Sequence, residues 1–375
     1  MMRRFVVAFG LAASCAFAAT PDVIRVGYVN GLSGPFAGTV IKSLRAVQVS
    51  VDKINSKGGI RGHRIELLTF ETNADPLRIP AVMEKAAASG VTALIGFHMS
   101  NDALVAADIA ERKGLPMVVA GATHPGITAG RHCVVRVCWN DDDQGAFSAR
   151  FAKTKLNARR IAIIRDVADS YTLYLAKSFR KNAEASGLRI VADYPIRTGD
   201  RNFAKIIAAI RTVQPKPDIL YMPTSSVEAG YFIHQMLEAK LAVPLLGCDS
   251  WQNADFYKTL SSLGSLAFNA YFVGHWHKDL PYRRSRDFVR DYETRFHEEL
   301  TTLDGDAALA YDSAEFLFTA LQKEPLAKGR RLAGLLRATS LEGATGPIRI
   351  RPSGDPIKPV IPLVFSHGKV NPWKN

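Results

Sequence analysis

The sequence predicts an α/β protein built from doubly wound parallel sheets. From Ile24 onward the chain repeats one phrase: a short aliphatic run, a polar or glycine-containing turn, then a segment of helical period. The aliphatic runs do not alternate with polar residues, so they are strands buried on both faces. Helical crossovers between such strands make them parallel. Finally, 375 residues of which 47% are apolar are enough for two cores, and 22% charged residues is a globular composition.

The elements follow in order. Residues 24–29 form the first strand and 41–56 the helix after it; 92–95 and 101–113 repeat the unit, as do 161–165 with 171–186 and 219–222 with 227–239. A strand through Arg136 runs into the acidic turn Asn140-Asp141-Asp142-Asp143, after which a fresh series begins. The rhythm stops again near 268–274, where helices over 282–297 and 307–322 start; short strands at 348–350 and 360–365 finish the chain. One sheet holding all these units would be unusually large. Two lobes joined by crossing strands fit better: residues 19–139 with 270–346 as the N-terminal lobe, 140–269 with 347–375 as the C-terminal lobe.

Residues 1–18 carry the marks of an export signal. Arg3 and Arg4 open it, an uncharged run follows, and Ala16-Phe17-Ala18 offers a cleavage site. The alternative, a lipid-modified Cys15, lacks the aliphatic residue usual three places earlier, where Ala12 stands. Cleavage lowers the formal net charge of +13 by two and places the protein in the periplasm. The basic residues are scattered; the densest group, Arg283, Arg284, Arg286 and Arg290, reads as a solvated helix face rather than a nucleic-acid surface. Of four Cys, Cys133, Cys138 and Cys248 remain after cleavage. Cys133-Val-Val-Arg-Val-Cys138 reads as a strand, about 16–17 Å from end to end, too far for a disulfide. An odd count leaves at least one thiol free, packed as a small apolar residue.

Enzyme signatures are missing. There is no G-x-S-x-G elbow, no H-E-x-x-H and no Walker loop, and the spacing of Gly31, Gly34 and Gly38 is not that of a dinucleotide loop. His275-Trp276-His277 has no third ligand nearby and reads as two surface imidazoles rather than a metal site. Cys248 follows a buried strand without a catalytic signature and reads as inert. No catalytic residue, metal or cofactor is therefore expected.

Small hydroxyls stand at strand ends instead, where ligands of open parallel sheets sit. Ser33 lies in the loop after the first strand, Ser100-Asn101 opens a helix after 93–96, and Gly121-Ala122-Thr123 follows 117–120. A helix N-terminus with a hydroxyl and free N–H groups receives a carboxylate well. Singly, each reads as a cap or a turn before it reads as a ligand contact; their recurrence points to a shared pocket. In the second block, Asp249 suits a ligand ammonium or a helix cap, and Tyr171 either closes over the ligand or packs.

These residues, together with Leu32-Ser-Gly-Pro35, Ile54-Asn-Ser-Lys-Gly-Gly-Ile60, Asp75-Pro76, Gln144-Gly145, Ala162-Ile-Ile-Arg-Asp166 and Glu228-Ala-Gly230, resemble the leucine/isoleucine/valine-binding protein family in order and spacing. The resemblance spans nearly the whole chain after the export signal. It implies the type I periplasmic-binding-protein fold, two doubly wound α/β lobes joined by hinge strands, and a receptor that delivers an amino acid or related carboxylate to an ABC permease. It places the ligand carboxylate on Ser100, Thr123 and the backbone of Gly121, and the ammonium on Asp249, with Tyr171 beside it. Three departures bear on the pocket: Thr39 replaces an aromatic residue, Ser225-Ser226 replaces a segment that often carries Tyr, and Ala74 and Met99 stand where some members have a disulfide. Ser226 thereby joins the candidate site. A monomer that closes on its ligand by a hinge motion is expected, with a membrane signalling partner as the alternative recipient and a ligand-independent adaptor, its pocket decayed, as a further alternative.

Overall fold

The computed structural model describes residues 23–34 and 36–374. The expected export signal and Cys15 lie outside the described residues. In chain order, the first lobe runs β1 (Ile24–Asn30), α1 (Ala37–Asn55), β2 (Ile65–Glu71), α2 (Ile79–Ala88), β3 (Ala93–Gly96), α3 (Ser100–Lys113), β4 (Met117–Val119) and β5 (Val134–Arg136). The second runs α4 (Asp141–Thr154), β6 (Arg160–Asp166), α5 (Ser170–Ala185), β7 (Arg189–Ile196), α6 (Ala204–Thr212), β8 (Ile219–Tyr221), α7 (Ser226–Glu238), β9 (Leu245–Leu246), α8 (Ala254–Ser262) and β10 (Asn269–Gly274). The chain then returns through α9 (Arg283–Phe296), α10 (Gly305–Leu321), α11 (Gly329–Arg337), β11 (Ser340–Gly343), β12 (Gly346–Ile350) and β13 (Pro356–Ile357), and closes with β14 (Ile361–Ser366) and β15 (Lys369–Pro372).

The first sheet has the order β2-β1-β3-β4-β5, all parallel, with Tyr28 opposite Ile95 and Val119 opposite Arg136. Strands β3, β4 and β5 are buried throughout, as unalternating aliphatic runs require. One face is covered by α1 against α10, the latter buried nearly all round, from Gly305 to Leu321. The other face holds α2 and α3, in a separate core around Ile79, Met83 and Ile109. The second sheet has the order β15-β14-β10-β9-β8-β6-β7. It is parallel through β10 and antiparallel beyond, where Phe272 pairs with Leu363. Strands β11, β12 and β13 make a third, antiparallel sheet.

The expected division needs two corrections. Residues 347–357, expected in the C-terminal lobe, belong to the first: β12 pairs with β11, and Ile348 packs in the core of α1 and α10. Residue 270 was placed at the return to the first lobe, yet β10 sits in the middle of the second sheet, between β9 and β14. The crossing comes after Gly274, because 269–274 is the last strand of the βα series rather than the link out of it. Cys133 and Cys138 flank β5, and with Cys248 they are free and buried. The Arg-rich face of α9 points outward, with Arg283 and Arg290 on Asp287 and Arg284 on Glu315, while Ser285, Phe288 and Tyr292 turn inward.

Both sheets have a switch in winding direction, between β1 and β3 in one and between β6 and β8 in the other. Loops diverge there and leave a crevice beyond the carboxyl ends of the strands. The two crevices face each other.

Candidate functional site

One cavity, of about 1060 Å³ with its mouth included, lies between the lobes. The first lobe lines it from the loops after β1 (Asn30, Gly31, Phe36, Thr39), β3 (His98, Met99, Ser100) and β4 (Gly121, Thr123). The second lobe answers from the loops after β6 (Asp169, Tyr171), β8 (Ser225, Ser226) and β9 (Asp249, Ser250, Gln252, Asn253). His275, Gly305 and Asp306 come from the returning chain.

Of the eight residues singled out from the sequence, six line this cavity: Ser100, Gly121, Thr123, Tyr171, Ser226 and Asp249. Ser100 is the first residue of α3, but its hydroxyl caps nothing there. Its Oγ accepts from the backbone N–H of His124 at 3.2 Å, and so ties the β3 loop to the loop carrying Thr123. Arg136 shapes that second loop. Fully buried, it donates to the carbonyls of Ala122 and His124, each at 2.9 Å, on either side of Thr123. Its own charge is met by Asp355 at 2.7 Å. Ser226 begins α7 with its hydroxyl buried and unpartnered.

Asp249 does not cap a helix either. Its carboxylate accepts from the Tyr171 hydroxyl, from Gln144 Nε2 at 2.9 Å, and pairs with His275 Nε2 at 3.1 Å. Its backbone N–H donates to Gln144 Oε1 at 3.1 Å, closing a two-way clamp that orients the carboxylate. Burial, and then the Asp249 charge, push the Tyr171 hydroxyl well above its ordinary value, so it stays a donor. Burial lowers His275 and outweighs the pull of Asp249 in the other direction. The imidazole stacks on Trp139, ring centres 3.8 Å apart. Trp139 follows β5 and His275 follows β10, so the two crossings between lobes meet at the floor of the cleft.

Two expected residues lie elsewhere. Ser33 is exposed and sits 3.4 Å from Glu71, whose carboxylate gathers the β1 loop by accepting from Leu32 N–H. Asn101, one residue into α3, faces away from the cavity and bridges the lobes at the surface: Nδ2 donates to Asp169 at 3.1 Å and Oδ1 accepts from Ser170. His275 and His277 are buried, not on the surface as their sequence suggested, because the chain passes between the lobes there. Among the described residues no group of three or more His, Cys, Asp or Glu side chains is placed to hold a metal ion.

Reasoning from sequence missed Phe36, His98, Asp306 and Arg136. Phe36 supplies an aromatic wall three residues before Thr39, where an aromatic residue was judged lost. An arginine flanked by valines on a buried strand was the available signal for Arg136. His98 and Asp306 are brought together from distant stretches of chain, and no local pattern marks them.

Two doubly wound lobes, facing each other through strand-end loops across a cleft, define a two-lobed solute-binding protein. The family described as periplasmic binding protein is matched over residues 23–364, and the chain belongs to that family. The chain is 29% identical to the Leu/Ile/Val/Thr-binding protein of Salmonella typhimurium over 68% of its length and 69% of that protein's. The leucine binding protein LivK of Thermotoga maritima superposes with a TM-score of 0.84 at 25% identity, covering 94% of this chain and 98% of that one. LivJ of Streptococcus pneumoniae in complex with isoleucine gives 0.83 at 25% identity, covering 93% and 98%. Among the described residues no helix is long and apolar enough to cross a membrane.

Proposed function

We propose that this protein is the periplasmic receptor of an ABC importer, which captures an amino acid in the cleft and presents it to the permease without chemical change. The observation that carries this reading is that Ser100 and Thr123 stand across the cleft from Asp249. Neutral hydroxyls and a helix N-terminus, suited to a carboxylate, lie on one side at Ser100 and Thr123. A clamped carboxylate, suited to an ammonium, lies on the other at Asp249. A zwitterion satisfies both only when the lobes are together, and its binding therefore favours closure.

Thermal unfolding of the refolded chain against a panel of amino acids, amides and amine-free acids tests this. A ligand at 100 times its dissociation constant adds roughly 2.7 kcal/mol, a shift of a few degrees. A shift with an α-amino acid supports the receptor reading. Shifts confined to amine-free acids would remove the ammonium role of Asp249.

A further inference from the structure

The α-carboxylate and α-ammonium leave one wall of the cavity unused. His98 and Asp306 form it, with His275 alongside. The His98 side chain is only 6% exposed, and its Nε2 has no hydrogen-bond partner. Its Nδ1 stands 3.3 Å from Asp306 Oδ1. Asp306, in the first turn of α10, keeps 29% of its side chain exposed and lines the cleft.

The backbone makes room for the pair. A Cβ on Gly121 would stand 2.6 Å from His98 Nδ1 and 3.0 Å from Asp306 Oδ1, so any larger residue would displace them. Among the described residues that line the cavity there is no Lys or Arg. An aliphatic amino acid brings one ammonium, which Asp249 takes; Asp306 and the unsatisfied imidazole would then face hydrocarbon.

We infer that His98 and Asp306 form a second polar subsite, which takes a protonated nitrogen on the ligand's side chain, so that the ligand is a basic amino acid. This rests on the amino-acid reading above.

Calorimetric titration of the refolded chain with L-ornithine, L-lysine, L-arginine and L-leucine tests it, followed by Asp306→Asn and His98→Leu. A basic amino acid should bind at least about tenfold more tightly than leucine. Asp306→Asn and His98→Leu should each shrink that ratio to within about twofold of unity. Leucine binding as tightly as all three basic amino acids would overturn the subsite and leave the receptor reading standing. Binding by no α-amino acid would overturn both. Should Asp306→Asn fail to fold, the ranking in the unmodified chain decides.

Discussion

The two lobes hold their parts of the candidate site in different ways. The first lobe offers Ser100 and Thr123 on loops tied by the His124 N–H, which donates to the Ser100 hydroxyl, and by the buried guanidinium of Arg136, which grips main-chain carbonyls. The second offers a carboxylate, Asp249, held by the side chains of Gln144, Tyr171 and His275. One side is positioned through main chain, the other through a side-chain network. Substitutions should therefore fail differently: supports of the first lobe cost stability, whereas Asp249 itself costs affinity.

Removing Arg136 should have the largest effect. Arg136→Ala leaves Asp355 without its cationic partner and the carbonyls of Ala122 and His124 without their buried donor, and should cost about 3–5 kcal/mol in urea unfolding. A loss below about 1 kcal/mol would show that the Thr123 loop holds itself. Next, Asp249→Ala should weaken an α-amino acid by about 100-fold in calorimetry, since bonds to charged groups are worth roughly 1.5–3 kcal/mol. The matching acid without the amine should change far less; equal losses would make Asp249 a structural residue and erase the contrast between lobes.

Asp102, a first-lobe residue lining the cavity, gives a pH test. Burial, and then the Asp75 charge, raise its carboxyl from 3.8 to about 6. The folded chain thus holds a proton that the unfolded chain releases. This contribution is complete below about pH 4 and is lost as the pH rises to about 6, a loss of roughly 2–3 kcal/mol. Asp102→Asn should flatten the stability profile over that window, and an unchanged profile would refute the assignment.

Smaller still, Thr123→Val keeps the shape and removes the hydroxyl; about a fivefold loss of affinity is expected, from roughly 1 kcal/mol. Last, Asn101→Ala removes an exposed bridge between the lobes and should cost well under 1 kcal/mol, visible as a few-fold faster ligand release in stopped flow.

The same contrast explains what was legible in the sequence. Ser100, Gly121 and Thr123 stand directly after aliphatic runs, so strand ends alone mark them. Asp249 and Tyr171 follow the same rule in the second lobe. Sequence periodicity stops being informative where the chain crosses between lobes. His275 looked like a surface residue because its burial comes from Trp139, far away in sequence. Likewise Asp306 meets His98 only because α10 returns to the first sheet after the second is complete. Residue 270 was assigned to the wrong side for a related reason: nothing local separates the last strand of a series from the link that leaves it.

The stack of Trp139 on His275 gives the protein a built-in optical reporter. Trp139, Trp251 and Trp276 are fully buried, and each lies at a lobe crossing or two residues from Asp249 in the chain. Indole emission responds to the polarity and charge of whatever touches the ring. A solute that reaches Asp249 alters the partner of the imidazole lying on Trp139. Occupancy of the cleft should thus be readable as a change in intrinsic fluorescence, with no dye attached and no residue replaced.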